Sequence, residues 1–168
     1  MLNIVLFQPE IPANTGNIIR LCANTGCALH IIEPASFILD DKRLMRAGLD
    51  YHEFVHIVKH KNIEACLEYF AGHDIYACTT KGHTRPDKVA FKDGDVLIFG
   101  KETKGLPDEF TDTLDAAYKV RIPMVPESRC MNLSNSVAIF IFEAWRQMDF
   151  VGAREQLDKL GVKLKLLP

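Results

Sequence analysis

Ile122-Pro123-Met124-Val125-Pro126-Glu127-Ser128-Arg129-Cys130-Met131-Asn132-Leu133-Ser134-Asn135-Ser136-Val137 joins a predicted strand end to a predicted helix start through two prolines and a polar cap. Pro123 and Pro126 each fix φ and remove a backbone donor. Asn132, Ser134, Asn135 and Ser136 offer side chains suited to capping the free N–H groups of the apolar run that follows. Free amides at a helix start favour carboxylates, phosphates and polar ring edges. On these residues alone the stretch reads either as a binding loop or as a plain strand-to-helix connection.

Working outward, short apolar runs near residues 2–7, 28–33, 54–58, 74–79, 95–100 and 118–122 alternate with helical patterns. That is the βαβ signature of an α/β fold, a single-domain parallel sheet flanked by helices. Asn14 is placed to cap a helix that turns Ile18, Ile19, Leu21 and Cys22 inward, and Gly26 to end it. Residues 40–47, 61–70, 107–115 and 134–148 read as further helices. The last of these carries Val137-Ala138-Ile139-Phe140-Ile141-Phe142, apolar on every side, so it needs cover all round. In a chain of 168 residues one flank of that helix is expected to meet a second subunit, making a homodimer. Residues 1–150 form the expected domain; residues 151–168 have an amphipathic start and a basic, apolar end that packs on the core or frays.

With 48% hydrophobic residues the chain can bury roughly 70% of its unfolded surface without disulfide or metal staples. A net charge of −2 gives no global attraction to nucleic acid, so any such contact depends on local clustering of the 20 Lys and Arg residues. Met1-Leu2-Asn3-Ile4-Val5-Leu6-Phe7 begins as a strand without a basic leader, and no apolar run approaches the roughly 18 residues of a membrane span; a cytoplasmic location is expected, with no membrane partner. Five cysteines without a Cys-x-x-Cys pair read as reduced and largely buried. His52, His56 and His60 would align on a helix as metal ligands, but Phe54-Val55-His56-Ile57-Val58 is rich in strand formers, so no metal site is expected.

A second loop, Gly100-Lys101-Glu102-Thr103-Lys104-Gly105-Leu106-Pro107, follows the fifth strand, where the carboxyl ends of parallel strands make ligand crevices. It is no P-loop, since Leu106 and Pro107 stand where Lys and Ser or Thr are required. No Gly-x-Gly-x-x-Gly or Gly-x-Ser-x-Gly pattern exists elsewhere, which removes the usual dehydrogenase and esterase readings. The glycines alone would suit any tight turn. Near the start, Pro9-Glu10-Ile11-Pro12-Ala13-Asn14-Thr15-Gly16-Asn17-Ile18-Ile19-Arg20 leads from the first strand into the first helix, with Arg20 set among apolar residues.

Taken together, Asn14 to Arg20, Phe99 to Pro107, and Ile122-Pro123-Met124 through Met131-Asn132-Leu133-Ser134-Asn135 resemble the three ordered motifs of the trefoil-knotted SPOUT methyltransferases. The likeness covers nearly the whole chain and is closest to small bacterial tRNA 2′-O-ribose methyltransferases acting on the wobble cytidine or uridine. Asp41-Lys42-Arg43 and Ala47-Gly48-Leu49-Asp50-Tyr51-His52 strengthen the narrower likeness.

What the resemblance implies is an α/β knot whose C-terminal part threads a loop and holds S-adenosylmethionine, released after transfer as S-adenosylhomocysteine, without a metal. It implies cofactor contacts at Cys78, Thr79, Gly100, Glu102, Gly105, Ile122, Met124, Cys130, Met131 and Leu133. Arg20 matches the catalytic arginine. The tRNA, with leucine isoacceptors as the expected substrates, would be met by Asn14, Arg43, Arg46, Lys81, Lys104, Arg129, Asn132 and Ser134. The family often carries Ser where this chain has Cys130; a contact through backbone atoms tolerates the exchange, whereas one through the hydroxyl would lose about 0.5–1.5 kcal/mol. As a nucleophile, Cys130 lacks an obvious histidine activator. Two other readings remain open: a knotted enzyme methylating another tRNA or rRNA ribose, and a non-catalytic RNA- or nucleotide-binding module.

Overall fold

The computed structural model describes residues 1–35 and 57–153, which form a six-stranded sheet flanked by helices. In chain order the elements are β1 (Asn3–Phe7), α1 (Pro12–Thr25), β2 (Ala28–Ile32), β3 (Ile57–His60), α2 (Ile63–Tyr69), β4 (Ile75–Cys78), β5 (Val96–Phe99), α3 (Asp108–Thr111), β6 (Lys119–Val120) and α4 (Leu133–Gln147). The strand order is β3-β2-β1-β5-β4-β6, with every pair parallel. A parallel sheet has to be covered on both faces, which is why β1 and β5 read as unbroken apolar runs. Val5, Val96, Leu97 and Ile98 are fully buried.

Alternation along the strands divides the core in two. Ile4, Leu6, Leu97 and Phe99 face α1 and α4, where Ile18, Ile19, Phe140 and Ile141 complete one cluster. Val5, Phe7, Ala77 and Ile98 face the other way, onto Cys66 and Phe70 of the α2 region and Phe110 of α3. The ring of Phe99 meets Phe140 edge-on at 5.4 Å, tying the central strand β5 to α4.

Element boundaries differ from the sequence reading in four places. α1 begins at Pro12, with Ile11 rather than Asn14 in the cap position. Proline at a helix start has φ preset and lacks an N–H that would go unused, so the helix opens three residues early and Asn14 falls inside its first turn, 5% exposed. β3 runs on to His60, two residues past the expected end, because His60 pairs with Ile32 and packs its ring on buried His30; the expected start at 54–56 lies outside the described residues. The helix expected over 107–115 is a single turn: Thr113 N–H bonds Phe110 O and Leu114 N–H bonds Thr111 O, the tighter three-residue spacing that ends an α-helix. β6 has two residues, paired with β4 and bridged at Val120 to Thr84. Of the four side chains expected to suit the cap of α4, Asn132 takes the position, its Oδ1 accepting from Ser134 N at 2.9 Å and Asn135 N at 3.4 Å, and Gly26 ends α1 at φ 71°.

The expected helix at 40–47, His52, His56, Arg43, Arg46 and the tail from 154 lie outside the described residues. Cys22, Cys27 and Cys66 are buried and Cys78 half-buried, whereas Cys130 is exposed; all five are free thiols. Within one chain α4 is not covered all round, since Phe142 is 60% and Ile139 38% exposed. Among the described residues no helix is long and apolar enough to cross a membrane.

Candidate active site

β4, β5 and β6 end side by side at Cys78, Phe99 and Val120, and the loops that leave them enclose two adjoining cavities. The narrower, of about 70 Å³, lies among Val120, Arg121, Ile122, Met124 and Phe140. The wider, of about 420 Å³, lies among Asn14, Gly100, Lys101, Lys104, Asn132 and Leu133. Cys78, Thr79, Thr80, Phe99, Cys130, Met131 and Ser136 border both, so the two make one cleft. Its wide part falls within the about 300–1,000 Å³ of small-molecule sites, and its place beyond the carboxyl ends of parallel strands is where such folds bind ligands.

The loop after β5 is shaped by its glycines. Lys101 N–H donates to Gly105 O at 3.1 Å and Gly105 N–H donates back to Lys101 O at 2.9 Å, closing a tight turn. A Cβ on Gly100 would stand 2.1 Å from Gly105 C and 2.2 Å from Leu106 N, and Gly105 sits at φ 71°, so both positions require glycine for backbone reasons.

This turn aims Glu102 at the start of α1. Its carboxylate accepts from Glu10 N at 2.8 Å, Ile11 N at 3.1 Å and Asn14 Nδ2 at 3.1 Å. Glu10 returns the contact by accepting from Thr103 N at 3.1 Å and Thr103 Oγ1 at 2.7 Å. Those bonds, together with nearby Lys101 and Lys104, hold the Glu10 carboxyl below the usual carboxylate range. Asn14 passes the connection on, its Oδ1 accepting from Asn132 Nδ2 at 2.9 Å. The three loops singled out in the sequence are thus joined by one run of hydrogen bonds.

All ten residues matched to cofactor contacts border the cleft. Of those matched to RNA contacts, Asn14, Lys104 and Asn132 border it, while Arg129 is exposed on the loop and Lys81 pairs with Asp108 on the surface. Ser134 lies in the first turn of α4, its Oγ donating to Asn132 Oδ1 at 2.7 Å. Arg20 stands on the exposed stripe of α1 with Asn17 and does not line the cleft. Burial raises the Cys78 thiol well above its ordinary range, which keeps it protonated and unreactive. Glu10, Thr103, Arg121 and Ser136 were not legible as site residues: no local spacing ties Glu10 to a threonine 93 positions later.

Residues 1–142 match the SpoU rRNA Methylase family, which sets this sheet and cleft among the α/β RNA methyltransferases. The chain belongs to that family. A tRNA (cytidine(34)-2′-O)-methyltransferase of Escherichia coli (strain K12) is 59% identical over 153 residues, 91% of this chain and 98% of the relative. One of the same description from Methylovorus glucosotrophus (strain SIP3-4) is 56% identical, again over 91% of this chain and 99% of its own. A solved structure concerned with 2-OH methylation of C/U34 on tRNA superposes with a TM-score of 0.82 at 38% identity, covering 89% of this chain and 97% of the other. The SpoU methyltransferase AviRb of Streptomyces viridochromogenes, in complex with AdoMet, shares the fold at a TM-score of 0.77 and 23% identity, over 92% of this chain and 59% of that one.

Proposed function

We propose that the protein is an S-adenosylmethionine-dependent tRNA 2′-O-ribose methyltransferase acting on the wobble cytidine or uridine, position 34. The observation that carries this reading is the two-part cleft, apolar at one end and lysine-bearing at the other, in a chain whose relatives bear that activity by name. The cofactor's chemistry suits the lining: Ile122, Met124, Met131 and Phe140 offer apolar surface for a purine, and Thr79, Thr80 and Ser136 offer hydroxyls for its ribose and amino-acid portion. When bound, the cofactor supplies an electrophilic methyl group on a sulfonium. The family likeness also supports a trefoil knot formed by the C-terminal part of the chain.

Transfer of that methyl to a ribose hydroxyl is an in-line displacement, so the enzyme must align two partners and assist loss of one proton. A guanidinium remains protonated in proteins and is no ordinary general base. The work of Arg20 is therefore electrostatic: it holds a substrate phosphate or stabilises the developing alkoxide, and a phosphate oxygen or water accepts the proton. Lys101 and Lys104, at the wide end of the cleft, suit the phosphates flanking the target nucleoside.

The protein works as a homodimer in this reading. Leu21, Thr25, Ala138, Ile139, Phe142 and Trp145 line an open apolar groove of about 500 Å³ between α1 and α4. A second copy seated there covers the exposed flank of α4 and lies next to Arg20, whose neighbour Leu21 borders the groove. A tRNA-modifying enzyme of this kind operates in the cytoplasm. Incubation with labelled S-adenosylmethionine and purified tRNA, followed by nucleoside mass spectrometry, tests the function: 2′-O-methylated cytidine or uridine at position 34 is expected. A methylated ribose elsewhere, or RNA binding without transfer, overturns it.

A further inference from the structure

We propose that Glu10 is a positioning residue for the transfer, forming with Glu102 a reciprocal clasp that fixes the start of α1 against the loop after β5. The inference rests on the methyltransferase reading and adds a residue that neither motif spacing nor cavity lining singles out.

Five hydrogen bonds cross between the two segments, and each carboxylate grips the other's loop. Glu102 receives the Glu10 and Ile11 amides and the Asn14 side chain, while Glu10 receives the amide and hydroxyl of Thr103. α1 has no side-chain cap of its own, so Glu102 supplies from across the cleft the negative group that a helix start favours. Each carboxylate is met by donors of the other segment, Glu10 by Thr103 with Lys101 and Lys104 nearby and Glu102 by the Glu10 and Ile11 amides and Asn14.

The consequence is geometric. Gly100, Lys104 and Gly105 of one segment and Ile11 and Asn14 of the other border the same cavity, and Arg20 follows Asn14 on the same helix. At 1.5 Å per residue Arg20 stands about 9 Å along the axis from Asn14, so tilting the start of α1 moves both the cleft wall and the guanidinium. Alignment of donor and acceptor depends on that spacing, whereas cofactor contacts made by the 121–131 loop do not.

The two carboxylates respond differently to amide substitution. Both bonds to Glu10 end on one oxygen, Oε2, so glutamine can present the same acceptor. Glu102 uses both oxygens, Oε2 for Glu10 N and Oε1 for Ile11 N and Asn14 Nδ2, so glutamine must turn its NH₂ toward a donor. Single-turnover methylation and calorimetric S-adenosylmethionine binding test this. Glu10→Ala should slow transfer about tenfold or more, since misplacement of about 1 Å can cost about a hundredfold, with cofactor Kd within about threefold of wild type; Glu102→Gln, at a residue that itself borders the cofactor cleft, should slow transfer at least as much. Glu10→Gln should transfer at close to the wild-type rate.

Glu10→Ala at wild-type speed, Glu10→Gln falling as far as Glu10→Ala, or a loss fully matched by weaker cofactor binding would each overturn the proposal. Unaltered protein that transfers no methyl group overturns the function instead. The clasp is then judged by hydrogen exchange at the Thr103 amide, which Glu10→Ala should accelerate and Glu10→Gln should not; equal exchange in both variants refutes it.

Discussion

Asn14 and Asn132, 118 residues apart, are joined by a 2.9 Å hydrogen bond whose direction is set elsewhere. Glu102 can only accept, so the Asn14 amide must turn its NH₂ to that carboxylate and its oxygen to Asn132. Asn132 must then donate, leaving its own oxygen for the Ser134 and Asn135 amides that open α4. One charged residue thereby orients two amides and the start of the helix that walls the cleft.

Asn132→Asp and Asn132→Ala separate these duties. Aspartate keeps the helix cap but faces the buried Asn14 oxygen with a carboxylate oxygen in place of a donor, so stability should fall by about 1–3 kcal/mol and methyl transfer with it. Alanine loses both, and unfolding should show the additional cost of a missing cap, about 0.5–2 kcal/mol. Equal transfer by Asn132→Asp and wild type would mean that the bond to Asn14 serves packing alone.

Arg20→Ala should cut turnover steeply and leave S-adenosylmethionine binding nearly intact, because Arg20 stands on the outer stripe of α1 and does not border the cleft. Arg20→Lys keeps the charge without the planar fork and should recover only part of the rate. Calorimetry beside single-turnover kinetics decides it; parallel loss of binding and rate would contradict an electrostatic role.

The sheet was legible because its inner strands carry apolar runs that burial on both faces explains; Val96-Leu97-Ile98-Phe99 became the central strand β5. The cap of α4 was legible as a polar group, Asn132, Ser134, Asn135 and Ser136, ahead of the apolar run from Val137, and the structure gives the role to Asn132. Asn14 misled for the same reason: it is just as good a cap, but Pro12 starts the helix earlier and a partner 88 residues away claims the side chain. Glu10 escaped notice entirely. Local patterns report on local bonds, and the clasp is made by residues 88–93 positions apart.

Acid should weaken the fold through His30 and His60. Nδ1 of His30 lies 3.0 Å from Nε2 of His60, the rings stack at 5.2 Å, and Phe70 and Tyr69 close the site. One ring donates and the other accepts, so the pair holds together only while at least one stays neutral. Burial, with His60 beside it, lowers the His30 pKa to about 4, and burial lowers that of His60. The unfolded chain takes up these protons near pH 6.5, so the stabilisation is complete above that pH and is lost as pH falls toward 4. Denaturant midpoints from pH 8 to pH 4 should decline on this limb, and His30→Phe should flatten it; an unchanged slope in the variant would assign acid sensitivity to other groups.

Phe142→Asp tests whether the groove between α1 and α4 is the homodimer interface. Phe142 is 60% exposed in the single chain, and its ring touches Phe150 at 5.3 Å on the surface, so a carboxylate there leaves the core of Phe140 and Ile141 intact. The same carboxylate at the centre of an apolar interface between two copies would be buried without a partner, which costs several kcal/mol per ion and should dissociate the pair. Sedimentation equilibrium is expected to give a folded monomer for the variant and a dimer for the wild type. Transfer should fall in step with dissociation if a second subunit lies against Arg20. A variant that stays dimeric would move the interface to another face, and a monomer with full activity would show that one chain completes the site alone.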